Sequence, residues 1–404
     1  VSAPLPAAVW TESVIAAMNQ SVAVAEMSPS VTVLETQLVR WMTALIGWDA
    51  AAGGTMTSGG TEATFTALLA ARAAALPDAW QHGVVGGPAT PVVLCGEHAH
   101  YAVMRAVAQL GLGLDRAIAI PSRDWRMDPA ALVHEIDRLA APPRATPVMA
   151  VVATAGSTAT GSFDDLEAIG AVCDARGIWL HVDGAHGASA LLSGRDRHRV
   201  HGIARARSVA WDAHKMMLMP LSAGMLLVRD EQDLDRAFAQ RAPYLFHEGE
   251  EGRMWDQGTR SFQCSRRADA LKVWVALQRY GADAVGALYD HLCDTARVLH
   301  HAIAERSDFV TLHEPESNIL CFRWVGDGSL GEEALDTVNR DLRERYNRGG
   351  RGWITTTVLG GRRVLRVTIM NPRTGHAEMQ ALLDGLTDEV DAMRHAARGV
   401  TTPS

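Results

Sequence analysis

Lysine is scarce in this 404-residue chain. Of its 38 Lys and Arg residues only Lys215 and Lys272 are lysine. Where positive charge alone is needed, the sequence therefore uses arginine. An arginine stays protonated and is no nucleophile, whereas a lysine amine can lose its proton and form a Schiff base. A lysine kept against this bias is a candidate for covalent chemistry that arginine cannot perform.

Other absences exclude whole classes of protein. No apolar run reaches the roughly eighteen residues that a membrane helix needs, and no signal peptide is visible, so we expect no membrane partner. The net charge of −8 argues against a nucleic-acid partner. The five cysteines are scattered and form no C-x-x-C pair. We therefore expect reduced thiols, a cytoplasmic location and no metal site.

Apolar strands and helices alternate along most of the chain. Continuous apolar strands joined by helices predict an α/β fold with a mainly parallel sheet that is buried on both faces. Strands are predicted near 91–95, 117–120, 148–153, 178–182, 208–211 and 224–228. Helices are predicted near 11–26, 31–46, 61–75, 101–110, 129–140, 164–176, 267–280 and 282–306. Beyond residue 300, strands near 309–313, 317–324 and 363–370 with helices near 331–346 and 375–395 predict a smaller α+β domain.

The two lysines differ in their surroundings. Lys272 lies in an amphipathic helical pattern, which predicts a solvated face. Lys215 ends an apolar run, Ser208-Val-Ala-Trp-Asp-Ala-His-Lys, which makes it the candidate for covalent chemistry. An incidental loop lysine is the alternative at that position. Its neighbours favour the chemical interpretation.

Polar residues follow the predicted strands at the edge where an open α/β sheet binds ligands. The turn Thr57-Ser-Gly-Gly-Thr-Glu opens a helix and can cradle a phosphate, although a plain capped turn explains it about as well. Asp183 ends an apolar strand, as either a helix cap or the partner of a protonated ring nitrogen. His100 follows another strand and could stack on an aromatic ligand. Lys215 is the fourth such position.

A phosphate cradle, a carboxylate, a stacking imidazole and a Schiff-base lysine together describe a pyridoxal 5′-phosphate site. From about residue 19 to residue 386 the chain resembles the group II pyridoxal-phosphate-dependent amino-acid decarboxylases. It is most similar to their glutamate and cysteine sulfinate branch. The matching segments are Glu26-Met-Ser-Pro-Ser, Thr57-Ser-Gly-Gly-Thr-Glu-Ala, Glu97-His-Ala-His-Tyr, Thr154-Ala-Gly-Ser-Thr-Ala-Thr-Gly-Ser-Phe-Asp-Asp, His181-Val-Asp-Gly-Ala-His-Gly, Asp212-Ala-His-Lys-Met-Met, Tyr244-Leu-Phe, Gln263-Cys-Ser-Arg-Arg-Ala-Asp and Leu365-Arg-Val-Thr-Ile-Met-Asn-Pro.

The resemblance implies roles for individual residues. Lys215 would hold the cofactor as a Schiff base, His100 would stack on its ring and Asp183 would keep its pyridine nitrogen protonated. Further cofactor contacts are implied at Gly60, Thr61, Thr158, Ala185, Asp212 and His214, with Asp164 lining or bracing the pocket. Arg366 would pair with a substrate carboxylate, its alternative being a surface arginine on an edge strand. The side-chain pocket would be lined by His98, His186 and Trp255.

The resemblance also implies an architecture and a reaction. The fold would be the type I fold of pyridoxal-phosphate enzymes, with a seven-stranded large domain at 51–300 and a small domain at 301–404. Residues 1–50 would be a helical segment that is shorter than in the family, through natural shortening or removal. We expect loss of the α-carboxylate of a small acidic or polar amino acid, and a homodimer with sites at the subunit interface.

Departures from the family pattern keep a second outcome open. Trp255 stands near the place of a loop tyrosine that protonates Cα in the family, so His247, His214 or water would have to donate that proton. His186 and Gly184 also replace the usual residues. The alternative function is therefore an enzyme that uses the same cofactor but has a different outcome. That outcome would be formation of an aldehyde, transamination after decarboxylation, or carbon–carbon bond formation. A non-catalytic scaffold is a third possibility.

Overall fold

The computed structural model describes residues 3–84, 90–143, 145–238 and 256–399. The chain divides into two compact units, one of Val1–Thr158 with Ser162–Tyr289 and one of Ala159–Gly161 with Asp290–Ser404. The packing therefore places no boundary at residue 50, and the later one falls at residue 289 rather than 300. A helix runs through that later boundary, so the sequence shows no break there.

The first unit is built on a seven-stranded sheet, which confirms the predicted fold class. Its strands are β1 (Gly53–Thr57), β2 (Val92–Gly96), β3 (Ala117–Ile120), β6 (Val148–Thr154), β7 (Trp179–Asp183), β8 (Ser208–Asp212) and β9 (Gly224–Val228), with a hairpin of β4 (Ser122–Arg123) and β5 (Arg126–Met127). The order is β1-β9-β8-β7-β6-β2-β3. Five neighbouring strands from β3 to β8 are parallel, and only β9 runs against both of its neighbours.

Helices cover this sheet because its strands are apolar on both faces. Every residue of β2, β7, β8 and β9 is buried. The helices are α1 (Pro6–Met18), α2 (Pro29–Ile46), α3 (Gly60–Ala75), α4 (Ala79–His82), α5 (Ala102–Gln109), α6 (Pro129–Ala140), α7 (Leu166–Arg176), α8 (Gln232–Ala237), α9 (Ala270–Tyr280) and α10 (Ala282–Ala304), the last of which continues into the second unit. Within the described residues, every helix is too short or too polar to cross a bilayer.

The register places the polar strand ends together. Thr57, the last residue of β1, and Asp212, the last of β8, both pair with Gly224 at the start of β9. Asp183 ends β7 beside them, opposite Ala210. The carboxyl ends of β1, β7 and β8 therefore meet at one edge of the sheet, which is where open α/β sheets bind their ligands.

The predicted position of Lys272 on a solvated face is wrong. Its side chain is fully buried, and its ammonium contacts the Glu12 carboxylate of α1 and lies 3.0 Å from Asp269 Oδ1. A helical pattern shows one apolar stripe, but it cannot show that α1, some 260 residues earlier, covers the remaining face.

The second unit contains a four-stranded antiparallel sheet with helices. Its strands are β10 (Phe309–Thr311), β11 (Ile319–Trp324), β12 (Thr355–Leu359) and β13 (Arg362–Thr368), and its helices after α10 are α11 (Glu332–Arg348) and α12 (His376–Gly399). The order is β10-β11-β13-β12. β12 was not predicted, because its Thr-rich run lacks the apolar core pattern that marks β11.

Candidate active site

One cavity of the first unit, of about 380 Å³, lies at the carboxyl edge of its sheet. Turns that follow β1, β2, β6, β7 and β8 all contribute to its wall. The lining residues are Ser58, Gly59, Gly60, Thr61, His100, Thr154, Gly156, Thr158, Asp183, Ala185, His186, Asp212, His214 and Lys215. The structure therefore brings together all nine residues that sequence analysis assigned to cofactor binding.

The turn between β1 and α3 forms one wall. A Cβ atom added to Gly60 would lie 2.8 Å from the Cβ of Ala185 and 3.2 Å from Asp212 Oδ2, so only glycine permits this approach. The Glu62 carboxylate accepts hydrogen bonds from the backbone N–H of Ser58 (2.9 Å) and from its hydroxyl (2.6 Å). This capping interaction fixes the turn at the N-terminus of α3, where backbone N–H groups attract anions.

Asp212 is the electrostatic centre of the cavity. Its Oδ2 accepts a hydrogen bond from the Gly60 N–H at 3.0 Å and lies 3.4 Å from His214 Nε2 and 3.2 Å from Lys215 Nζ. The Asp212 side chain is 2% exposed, whereas about a third of the Lys215 side chain is accessible. Lys215 is thus anchored by a buried carboxylate while its amine stays open to a small molecule.

His214 is oriented by the backbone. The Ala223 N–H donates to His214 Nδ1 at 3.1 Å, so the neutral ring carries its hydrogen on Nε2, which faces Asp212. Burial lowers the pKa of His214, although the nearby Asp212 opposes that effect. His214 is therefore neutral near pH 7.

His100 is neutral for the same reason. Burial lowers its pKa, with Asp183 and Lys215 acting in opposite directions. Its Nδ1 accepts the Ala102 N–H at 3.2 Å, which leaves a hydrogen on Nε2. A neutral imidazole at the edge of the cavity can stack on a flat ring without adding charge to it.

Asp183 enters the cavity from the end of β7. It is 8% exposed, and its Oδ1 accepts the Ala185 N–H at 3.2 Å. Two residues earlier on the same face, His181 is fully buried, and its Nδ1 lies 2.9 Å from Ser208 Oγ. Burial lowers the pKa of His181 to about 4. A neutral histidine therefore lies beneath the carboxylate, and sequence analysis gave it no role.

Residues at the end of β6 complete the wall. Thr158 lines the cavity here, and Ala185 and His186 line it from the turn after β7. Asp164 braces it instead, because its carboxylate accepts the N–H of Thr154 at 2.7 Å and that of Met127 at 2.8 Å. Sequence analysis missed Ser58, Gly59, Thr154 and Gly156 as lining residues. Their position at or just after the ends of strands was the signal that could have identified them.

Three further residues were predicted to contact the substrate, namely Arg366, Trp255 and His98. Arg366 belongs to the second unit, where it lies on β13 and its Nε donates to the Ala159 carbonyl at 3.2 Å. Burial lowers the pKa of its guanidinium. Trp255 and the alternative proton donor His247 fall outside the described residues. His98 contacts Trp125 of the β4–β5 turn, with 5.6 Å between ring centroids.

Comparison with known proteins shows to which family the chain belongs. The model of the pyridoxal-dependent decarboxylase conserved domain matches residues 5–325. The chain belongs to the pyridoxal-dependent decarboxylase family. It is 36% identical to L-2,4-diaminobutyrate decarboxylase of Rhizobium meliloti over 97% of this chain and 77% of that protein. It is 34% identical to human cysteine sulfinic acid decarboxylase over 91% of this chain and 76% of that one.

A crystal structure of mouse CSAD matches with a TM-score of 0.89 and 30% identity, over 95% of this chain and 81% of that one. Membership of the decarboxylase family makes this chain a carbon–carbon lyase. It uses pyridoxal 5′-phosphate to remove the carboxylate of an amino acid, as the sequence resemblance implied.

The residues present fit that cofactor. The β1–α3 turn offers a cradle that any Cβ at Gly60 would fill, and the buried Oδ1 of Asp212 has no hydrogen-bond partner among the described residues. Lys215 supplies an accessible amine, and Asp183 supplies a carboxylate on a neighbouring strand end. The cavity thus combines an anion cradle, an amine and a carboxylate within about 380 Å³.

Proposed function

We propose that this cavity is the site of decarboxylation, with Lys215 as the covalent anchor of the cofactor. The observation that carries the proposal is the placement of the Lys215 amine 3.2 Å from Asp212, in a cavity shared with Asp183 and His100. An arginine-biased chain retains a lysine at this position, and the other lysine is buried in ion pairs.

Each residue of the site has a distinct task in the proposal. When bound, pyridoxal phosphate supplies the electron sink that accepts the charge left by loss of carbon dioxide. Asp183 holds a proton on the pyridine nitrogen, because a nearby carboxylate favours the charged form of a base. His100 covers one face of the ring and Ala185 the other. Gly60 and Thr61 hold the phosphate, and Thr158 and His214 complete the wall.

We propose that the substrate is a small amino acid with an acidic or polar side chain. The named relatives act on diaminobutyrate and cysteine sulfinic acid, which are both short and carry a second charged group. Arg366 would pair with a carboxylate of the substrate, and His98, His186 and Trp255 would be the candidates for side-chain recognition. Arg366→Met should then raise KM far more than Arg366→Lys, which keeps the charge.

The purified protein should be incubated with a panel of amino acids while carbon dioxide and the mass of the product are measured. We expect an amine and one equivalent of carbon dioxide from a short polar or acidic substrate. Lys215→Ala should abolish turnover and leave no cofactor linked to the protein after borohydride reduction. Full activity with reducible covalent cofactor in Lys215→Ala would refute the assignment. An aldehyde product would favour the alternative outcome.

We also propose that the enzyme is a homodimer with sites at the subunit interface. One side of α1 exposes Trp10 (75%), Val14 (49%) and Met18 (45%), at the spacing of a single helical stripe. Sedimentation should show a dimer at assay concentration. An active monomer would contradict the proposal.

A cytoplasmic location completes the proposal. All five cysteines are free thiols, and Cys264 is exposed. Exposed thiols persist in a reducing compartment. Fractionation of the source cells should place the enzyme with soluble cytoplasmic markers.

A further inference from the structure

The acidic side chain of Asp212 lies where several groups of this cavity could donate hydrogen bonds to an anion. Asp212 Oδ2 accepts a hydrogen bond from the Gly60 N–H at the start of α3, and it also faces His214 Nε2 and Lys215 Nζ. These are groups that would also attract a phosphate. The Asp212 carboxylate therefore holds an anion position before any cofactor arrives.

This carboxylate is fixed in place. Asp212 is 1% exposed, and its Oδ1 lies against the backbone of β9, where a Cβ added to Gly224 would be 2.8 Å away. The titratable groups around it are His214 and Lys215 from its own turn and His100 and Asp183 from the turns after β2 and β7. From α3 and β9 it faces backbone atoms of Gly60 and Gly224. Asp212 therefore has little room to swing away from an incoming anion.

We propose that binding of the cofactor's phosphate at the β1–α3 turn takes up one proton, and that this proton forms a hydrogen bond between Asp212 and the phosphate. This inference rests on the proposed assignment of the cavity to the cofactor. Like charges that share a buried site disfavour each other, so a carboxylate and a phosphate in contact bind one proton together at a pH where each would be ionised alone. The proton comes from solvent and adds to an oxygen of this carboxylate–phosphate pair, and no covalent bond is broken.

The proton is not taken up by His214. The neutral His214 ring already has a hydrogen on Nε2, and its Nδ1 accepts the Ala223 N–H at 3.1 Å. A proton added at Nδ1 would face that N–H and break the hydrogen bond. Burial of the ring also lowers the pKa of His214. The carboxylate and the phosphate oxygens both have free lone pairs, so one added proton can be donated from one group to the other.

The test compares pyridoxal phosphate with pyridoxal, which carries the same aldehyde without the phosphate. The cofactor-free protein is titrated with each ligand, and tryptophan fluorescence is followed above roughly pH 6.5, where the phosphate is mainly dianionic. The ratio of the two affinities cancels effects on Lys215 that both ligands share. We expect this ratio to fall as pH rises in the native protein, by up to about tenfold per pH unit, because binding is coupled to proton uptake.

Asp212→Asn supplies a permanently neutral donor of nearly the same shape. We expect this variant to favour pyridoxal phosphate over pyridoxal by about tenfold more than the native protein does at high pH. The pH dependence of the ratio should largely disappear. Asp183→Asn is the matched control, with the same change on the neighbouring strand end. This control variant should bind both ligands more weakly, and the ratio of its two affinities should depend on pH as in the native protein.

Two results would overturn the inference. One is an equal pH slope in the native protein and Asp212→Asn, which would place the proton elsewhere. The other is a loss of preference for pyridoxal phosphate in Asp212→Asn, which would show that the charged carboxylate assists the phosphate. A native protein that binds neither ligand would instead refute the assignment of the cavity. Failure of the inference and failure of the proposed function are thus separate outcomes.

Discussion

At the residue scale, the two lysines show how surroundings assign chemistry to the same side chain. Lys215 is about one third exposed and faces a single buried carboxylate, so its amine can reach a small molecule. Lys272 is fully buried between the carboxylates of Glu12 and Asp269, where it compensates charge and links α1 to α9. The first position suits covalent chemistry, and the second suits structure.

We predict that Lys272→Met destabilises the protein by about 3 to 5 kcal/mol, because two carboxylates lose their buried counter-ion. Denaturant unfolding monitored by circular dichroism measures the change. Lys272→Arg keeps the charge but forces a larger group into a filled site, at a cost of about 1 to 3 kcal/mol. Unchanged stability in Lys272→Met would show that the cluster contributes nothing.

Asp183→Asn removes the proposed partner of the pyridine nitrogen with little change in shape. We expect a loss of roughly 3 to 5 kcal/mol of transition-state stabilisation, or two to four decades in kcat, because the nitrogen would lose its proton near pH 7. Excess cofactor should restore occupancy without restoring the rate. Near-normal turnover at saturating cofactor would show that Asp183 serves only to stabilise its turn by accepting the Ala185 N–H.

At the scale of elements, a buried ion pair fastens the segment before α9 to α2. Arg266 donates two hydrogen bonds to the Glu35 carboxylate, at 3.0 and 2.6 Å, and both side chains are almost inaccessible. Glu35 Oε1 also accepts the Met56 N–H of β1 at 3.4 Å. The pair thus joins α2, the segment that enters α9 and β1, the strand that is followed by a turn lining the cavity.

We predict that Arg266→Met alone costs about 3 to 5 kcal/mol of unfolding free energy, because it leaves the Glu35 charge buried and unpaired. The double variant Glu35→Leu with Arg266→Met removes both charges and should recover most of that loss. Thermal and denaturant unfolding of the three proteins gives the coupling energy. Additive losses in the double variant would show that the two residues act independently.

At the scale of the whole molecule, buried neutral histidines couple stability to pH. His181 has a pKa of about 4 in the folded protein, below its ordinary value of 6.5, because burial disfavours the charged ring. Burial shifts the pKa of His100 and His214 in the same direction. Between the two pKa values the unfolded chain binds more protons, so a fall in pH favours unfolding.

We therefore predict that the unfolding free energy is fully retained above pH 6.5 and falls as the pH is lowered towards 4, with about 3 kcal/mol of the loss due to His181. Denaturant titrations at a series of pH values measure the slope. His181→Gln has no titratable ring. Its unfolding free energy should therefore change less steeply with pH in this window, by the equivalent of about one proton taken up on unfolding. An identical slope in native protein and variant would assign the acid sensitivity to other groups.

The sequence by itself predicted six strands of the seven-stranded sheet, most of the helices and many of the residues that line the cavity. Apolar runs of strand length and polar strand ends are local signals, and the carboxyl edge of a parallel sheet collects whatever follows its strands. β1 escaped prediction because its glycines obscure the strand pattern. A Cβ added to Gly54 would lie 2.4 Å from the Leu226 carbonyl oxygen, so that strand is glycine-rich for a reason seen only in the neighbouring strand.

Only the tertiary structure decided which side chains are enclosed and by what partners. Glu12 reaches Lys272 and Glu35 reaches Arg266 across more than 200 residues of sequence. Asp212 meets the Gly60 N–H from 152 residues away, which places an acid within an anion cradle. Periodicity reports one face of one element, whereas burial and electrostatics depend on every element packed against it. The chemistry of the site could therefore be read from motifs, but its charge balance could not.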